Sequence, residues 1–382
     1  MASAKSTTSR KKNGGLLSRL TFRPLVYGYA NARAHGLYSR LLDEEELKSL
    51  LAAPSFDAMV EVLERTPYKE QLVALSLRFK GDELIELAVS RRFAYFAAQL
   101  LKICPPSDRP TLQALLGRWD AHNLKVVMLA RRQKEPFEKI APYLVIAGSL
   151  RESDLQQIHS ATDAEDILHL LRVSMGGEGM SGSMFSSLGE AERFRKLVLA
   201  ADKAATLQPL MDEFDRLAYS MAASTAAAYT ADGGEVRRLV QRAADEKNLS
   251  TVLRLSSAGS KPADIRNYLV PGGSVTDSKW LSLLREGALT TSASRLDSRL
   301  GWKDALEAYS RNSSAAQLEV ALARSSAAKN VRIFHRSQMN LGVLVGALML
   351  KEQEMANIRK IVRAKSLRLS SSEIEKMLVQ VR

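Results

Sequence analysis

Apolar side chains recur at intervals of three and four residues along most of the chain, which is the period of an amphipathic helix. Apolar and polar residues do not alternate over any stretch of strand length, and alanine, leucine and serine are common where aromatic residues are few. The pattern therefore predicts an all-α fold. The longest predicted helices cover about 82–103, 107–132, 207–231 and a run from about 337 past 358.

Local signals mark several helix ends. Ser55 is placed as an N-cap, and the apolar run 143–146 is assigned to a short helix over 137–147, although it could also be extended. The helix over 207–231 has an alanine-rich middle at 218–228, which predicts close packing against neighbouring chain.

A short polar signature lies inside the helix over 107–132. Asp120, Asn123 and Leu124 are spaced so that all three lie on one helix face. An acid, an asparagine and an aliphatic residue recur at the same spacing twice more along the chain. The second copy is Asp245, Asn248 and Leu249, and the third is Glu354, Asn357 and Ile358.

A second pattern follows the first two copies at matching distance. Tyr-Leu-Val at 143–145 and again at 268–270 precedes a Gly-Ser pair, at 148–149 and at 273–274. We expect each glycine to end a helix in the left-handed conformation and each serine to cap the next helix. The third copy lacks the tyrosine and the glycine but keeps a capping pair, Ser370 with Glu373.

The matched order of both patterns predicts three diverged copies of one helical unit. The predicted division is a basic, disordered tail at 1–22 and three helical domains at 23–148, 149–273 and 274–382.

Charge is concentrated at the two ends of the chain. The formal net charge is +13, of which residues 1–23 carry +6 and residues 359–382 carry +5, so the body is almost neutral. Basic ends suit an anionic lipid surface, an acidic partner or nucleic acid, and equally a solvated tail. No apolar run reaches the roughly 20 residues that a spanning helix needs, which predicts at most a peripheral membrane protein.

Residues that would carry catalysis or bind a cofactor or metal are not arranged in any convincing pattern. The glycine-rich segment 176–182 lacks the lysine of a phosphate-binding loop, the five histidines are scattered, and Cys104 is alone. His122 lies within the signature, but Lys247 and Ala356 replace it in the other copies. We therefore predict no catalytic, cofactor or metal site.

The recurring asparagine calls for a physical cause, because asparagine in the middle of a helix lowers helix propensity. Two causes remain open: a buried side chain that ties neighbouring chain to the helix, which we favour, and a polar site that faces a partner.

Three segments together resemble a known family. They are Tyr27–Arg33 with Ser39–Leu42, then Trp119–Lys125, and finally Lys351–Lys365. The family is the central-stalk C subunit of archaeal-type (A/V-type) rotary ATPases, called the d subunit in the vacuolar type. The chain differs from the usual pattern at Ala121 and His122, in the basic tail and in the 176–183 loop.

The resemblance implies three similar helical domains arranged as a funnel about a pseudo-threefold axis. It implies a non-catalytic rotor subunit of a proton- or sodium-translocating machine, with the rotor shaft subunits and the membrane proteolipid ring as partners. It places the subunit peripherally on the cytoplasmic face of the cell membrane, with no cofactor and no nucleic acid. The main alternative is a helical scaffold that binds nucleic acid through its basic ends, and an enzyme is a more distant one.

Overall fold

A computed structural model describes residues 23–175, 188–201, 203–285, 302–312, 314–337 and 339–379. Every regular element within these ranges is a helix, which confirms the predicted all-α class. The basic tail at 1–22 and the whole of the 176–183 loop lie outside the described residues. The three-domain funnel and the domain boundaries remain predictions.

Seven α-helices form the described part of the first third of the chain. They are α1 (Arg23–Tyr38), α2 (Glu44–Ala52), α3 (Phe56–Glu64), α4 (Lys69–Leu75), α5 (Gly81–Ile103), α6 (Arg109–Gln133) and α7 (Phe137–Ile140), the last running into a 3-10 turn at Ala141–Tyr143.

The remaining helices follow the same numbering. They are α8 (Glu152–Ser160), α9 (Ala164–Met175), α10 (Leu188–Ala200), α11 (Gln208–Ala228), α12 (Glu235–Ser257), α13 (Pro262–Arg266), α14 (Asp277–Arg285), α15 (Lys303–Asn312), α16 (Ala315–Arg336), α17 (Gly342–Ser366) and α18 (Ser371–Met377).

Three of these helices, α6, α12 and α17, carry the signature residues, and we call them the signature helices. Within the described ranges, apolar side chains are buried in three clusters, and α6 and α12 each pass from one cluster to another. The first half of α6, the first half of α12 and all of α17 lie in the largest cluster, together with α1–α5. The second half of α6 lies in the cluster of α8–α11, and the second half of α12 in the cluster of α14–α16.

The three signature helices end in the same way. Lys134, Gly259 and Arg368 have φ values of 56°, 77° and 58°, the left-handed conformation that stops a helix. Each lies eleven residues after a signature asparagine, as the numbers 123 and 134, 248 and 259, 357 and 368 show. The repeat detected in the sequence thus extends to backbone conformation.

Equivalent positions of the three signature helices also meet at one place, which we call the hub. Leu115, Val240 and Met349 line a small cavity of about 40 Å³, and each lies eight residues before a signature asparagine. One turn further along, Arg118 of α6 forms an ion pair with Glu352 of α17. The Trp119 indole N–H donates to the same carboxylate at 2.9 Å. The hub is therefore bounded by apolar packing and by the ion pair between Arg118 and Glu352.

The alanine-rich part of α11 permits the close approach that its composition predicted. A Cβ atom at Gly272, where φ is +90°, would lie 2.5 Å from the Cβ atom of Ala223. Ala222 and Ala226 on the same helix are buried in the largest cluster.

Candidate functional site

Each signature asparagine is buried and bonds the backbone of a valine 22 residues later. Asn123 donates to the carbonyl of Val145 and accepts from its N–H, both at 2.8 Å. Asn248 does the same with Val270, at 2.9 and 2.8 Å. Side-chain amides can replace a backbone partner in this way because they present a donor and an acceptor side by side. The bonds satisfy two buried backbone groups that lie outside any helix.

The third copy makes the same pair of bonds, although its sequence lacks the tyrosine. Asn357 donates to the carbonyl of Val379 at 2.6 Å and accepts from its N–H at 3.1 Å. Sequence reasoning missed Val379. The signal was a Leu-Val pair, Leu378-Val379, at the distance that separates Asn123 from Leu144-Val145.

These bonds explain why the predicted helix over 137–147 is wrong. The α-helix ends at Ile140, the 3-10 turn ends at Tyr143, and Leu144 is extended with ψ 138°. The N–H of Val145 donates to Asn123, and its carbonyl accepts from Asn123 and from the N–H of Ala147, so neither group makes a helical bond. A side chain more than twenty residues away therefore decided the local conformation.

The first two signature acids bond the chain that leads into the next helix. The carboxylate of Asp120 accepts from the N–H groups of Ser149 at 2.7 Å and Leu150 at 3.0 Å. Asp245 accepts from the N–H groups of Ser274 at 2.9 Å and Val275 at 3.1 Å. Both acids are buried, and each lies where its helix leaves the largest cluster.

The Gly-Ser pairs have a different role from the one predicted. Neither serine is an N-cap, since α8 begins at Glu152 and α14 at Asp277, and neither Gly148 nor Gly273 has a positive φ. A Cβ atom at either glycine would overlap with the carboxyl group of the signature acid. Glycine is needed at these positions because the acid approaches the backbone. The capping predictions at Ser55 and at Ser370 with Glu373 are confirmed.

The third acid bonds a residue near the beginning of the described chain. Glu354 accepts from the N–H of Leu42 at 2.6 Å. Leu42 lies two residues before the start of α2, as Leu150 and Val275 lie two residues before α8 and α14. The acid of each signature helix thus bonds the backbone two residues before the start of another helix. We call these three contacts the joints.

The third joint contains more charge than the others. Glu354 also accepts from the Tyr68 hydroxyl at 2.5 Å and pairs with Lys351, all fully buried. The ammonium of Lys351 lies 4.5 Å from the centre of the Tyr68 ring. Burial lowers the pKa of Lys351, and the neighbouring Glu354 opposes that shift. Arg40 takes the place of the glycine, and the acid is longer by one methylene group.

The aliphatic signature residues are also buried, Leu124 and Leu249 in the two smaller clusters and Ile358 in the largest. His122 lies at an exposed position and takes part in no joint. Among the described residues, no group of three or more His, Cys, Asp or Glu side chains could hold a metal ion. No helix of that part of the chain is long and apolar enough to cross a membrane.

Comparisons with known proteins place the chain in a family. Residues 30–377 match the family model described as ATP synthase (C/AC39) subunit. The chain belongs to this family. It is therefore a non-catalytic subunit of a rotary ATPase of the A-type, as the resemblance in the sequence implied.

Several archaeal relatives, each the C subunit of an A-type ATP synthase, are similar over almost the whole chain. The relative from Methanocaldococcus jannaschii is 21% identical over 359 residues, 93% of this chain and 86% of the relative. That from Thermococcus onnurineus is 25% identical over 350 residues, 91% of this chain and 88% of the relative. That from Methanosphaera stadtmanae is 23% identical over 379 residues, 96% of this chain and 92% of the relative.

The structural role of the signature asparagines leads to a prediction. Replacing Asn123, Asn248 or Asn357 with alanine leaves a buried N–H and a buried carbonyl without partners. Each variant should lose about 3 kcal/mol of unfolding free energy, measured by urea denaturation. Gln133→Ala, at an exposed position near the end of α6, should change it by less than about 0.5 kcal/mol. A loss confined to one of the three asparagines would contradict a repeated structural role.

The first joint leads to a prediction about pH. Burial raises the pKa of Asp120 to about 7, against the opposing effect of its bonds from Ser149 and Leu150. A carboxyl group whose pKa is higher in the folded than in the unfolded state stabilises the fold most when it is protonated in both states, below its unfolded-state pKa near 4. This contribution to stability is lost as pH rises through the folded-state pKa of about 7. The unfolding free energy of the wild type minus that of Asp120→Asn should therefore fall between pH 4 and pH 8. An increase over that interval would show that the amide bonds outweigh burial.

Proposed function

We propose that this chain is a rotor subunit that joins the central shaft of an A-type ATP synthase to the membrane proteolipid ring and transmits torque between them. The proposal places it on the cytoplasmic face of the membrane. The observation that carries it is the set of three joints, because they link the units of the chain in a closed order. Family membership supplies the setting, a rotary ATPase.

An adaptor under torque must resist twisting. The joints support this role because each is a buried, hydrogen-bonded polar contact between segments far apart in the chain, and such contacts allow few alternative arrangements. The third joint contributes most to closure, since Glu354 and Leu42 are 312 residues apart in sequence. Other polar contacts between α17 and the first part of the chain, Arg363 with Glu86 and Lys365 with the carbonyls of Leu51 and Ala53, lie nearer the end of α17.

We further propose that the domains at 23–148, 149–273 and 274–382 surround a pseudo-threefold axis through the hub. Two observations support this arrangement. Leu115, Val240 and Met349 occupy equivalent positions and line one cavity. The acids at 120, 245 and 354 each bond the residue two places before a helix of another unit.

The size of the hub limits where a shaft can bind. A cavity of about 40 Å³ holds one or two water molecules, whereas a helix with its side chains is roughly 10 Å across. A helical shaft would therefore dock at one end of the hub rather than pass into it, and the ring would lie at the other end. Docking at an end leaves the Arg118–Glu352 contact intact.

This proposal is tested in membrane vesicles that contain the ATP synthase with this chain removed. The remaining catalytic subunits should still hydrolyse ATP, but ion uptake should fall to the level of uncoupler-treated vesicles, because hydrolysis no longer turns the ring. ATP hydrolysis is measured by phosphate release and ion uptake by a pH-sensitive dye or by labelled sodium.

Adding back the purified chain should restore ion uptake, and so should His122→Ala, which alters an exposed side chain outside the joints. Full coupling of hydrolysis to ion uptake in vesicles without the chain would reject the proposal.

A further inference from the structure

Two leucines on neighbouring loops are exposed to a degree that folding does not explain. Leu77, between α4 and α5, is 94% exposed, and Leu367, just after α17, is 74% exposed. Each is followed by an arginine, Arg78 and Arg368. We propose that this pair of loops, which we call the Leu-Arg loops, contacts an anionic lipid surface. The inference rests on the proposed function and specifies which part of the subunit meets the membrane.

The internal repeat shows that Leu367 and its neighbour Leu369 are not needed to end α17. The N–H of Leu369 donates to the carbonyl of Ala364 at 3.0 Å. The equivalent bonds are Glu135 N–H to Ala130 at 2.9 Å and Ser260 N–H to Leu255 at 3.0 Å. The residues flanking the left-handed position are Gln133 and Glu135, Ala258 and Ser260, and Leu367 and Leu369 in the three copies. Polar or small residues make the same cap, so the leucines of the third copy require another explanation.

The two loops lie at the same end of the packed helices α5 and α17. The hydroxyl of Ser366 donates to the carboxylate of Asp82 at 3.1 Å, and Leu367 directly follows Ser366. Leu77 is five residues before Asp82, so the Cα atoms of the two residues are at most about 17 Å apart. Both leucines can therefore meet one surface at the same time.

The charge around the leucines favours an anionic partner. Carboxylates close to the loops along the chain have other partners: Asp82 accepts from Ser366, Glu83 from Tyr143 and Glu373 from Ser370, and Glu86 pairs with Arg363. Across the described ranges, neither Arg78 nor Arg368 pairs with a carboxylate. Aliphatic side chains beside bases that pair with no carboxylate are the combination that binds the headgroup region of an anionic membrane.

A lipid surface fits the loops better than a protein partner does. Stable protein interfaces bury about 800 Å² on each side over a continuous patch. The Leu-Arg loops instead present separate leucines at loop tips, which suits insertion between headgroups.

Helix α1, which follows the basic segment 1–22 in sequence, does not begin at this end of the molecule. The hydroxyl of Tyr27, near the start of α1, donates to Asp108, which follows the far end of α5. With 23 residues, α5 is about 34 Å long. Contact through the Leu-Arg loops is therefore a separate property from any binding by the tail.

The test uses the full chain and a fluorescent label at single positions. Cys104 is buried, so a cysteine introduced at an exposed position is labelled selectively. Leu77→Cys and Leu367→Cys, labelled with a polarity-sensitive dye, are mixed with vesicles of phosphatidylcholine alone or with about one third phosphatidylglycerol. Leu129→Cys, on the exposed side of α6, is the matched control because Leu129 is also an exposed leucine.

We expect a blue shift at positions 77 and 367 with anionic vesicles, and none at position 129 or with neutral vesicles. The double variant Arg78→Gln/Arg368→Gln, which lacks both charges, should bind anionic vesicles more weakly by about fivefold per charge removed. The tail is the same in every variant, so its contribution cancels in this comparison.

Absence of a shift at 77 and 367 would overturn the inference. So would equal shifts at all three positions, or shifts that appear only when other ATP synthase subunits are added, which would indicate a protein partner. None of these results bears on the coupling measurement, so the rotor proposal would stand or fall separately.

Discussion

The structure depends on one kind of contact, a buried carboxylate that accepts the N–H of a residue just ahead of a distant helix. Asp120, Asp245 and Glu354 each make it. A helical chain of this length can bury its apolar faces in several ways, since apolar packing has little directionality. A buried acid is more selective, because removing it from water is costly unless its oxygens find donors. The joints thus fix which helix begins where.

The three joints solve the same problem with different chemistry. At Asp120 and Asp245 the acid is short, and a glycine allows the backbone to approach it. At Glu354 the acid is longer, no glycine is present, and Tyr68 and Lys351 provide further partners. In each of the first two joints the acid bonds residues 29 and 30 positions away, and in the third joint it bonds a residue 312 positions away. Closing so large a loop costs more conformational entropy, which the additional bonds of the third joint help to offset.

Much of this organisation was visible in the sequence, and the limits were physical. Helices followed from apolar spacing, and the recurring asparagine indicated a repeated structural need. The partner of that asparagine was not predictable, because the Tyr-Leu-Val segment looked helical until its backbone bonds were assigned to Asn123. Gly148 was recognised as special for the wrong reason, since the close approach of Asp120 depends on tertiary packing. The bond from Leu42 to Glu354 joins segments with no shared local pattern, so no spacing could have indicated it.

The central claim is that the three acid joints close the chain into one rigid body, and amide hydrogen exchange tests it most directly. We predict that the N–H groups of Leu42, Leu150 and Val275 are all strongly protected in the wild type. We also predict that Glu354→Gln speeds exchange at Leu42 far more than at Leu150 or Val275. Rapid exchange at Leu42 in the wild type, alongside protection at the other two, would mean that the third joint is not formed and would contradict the claim.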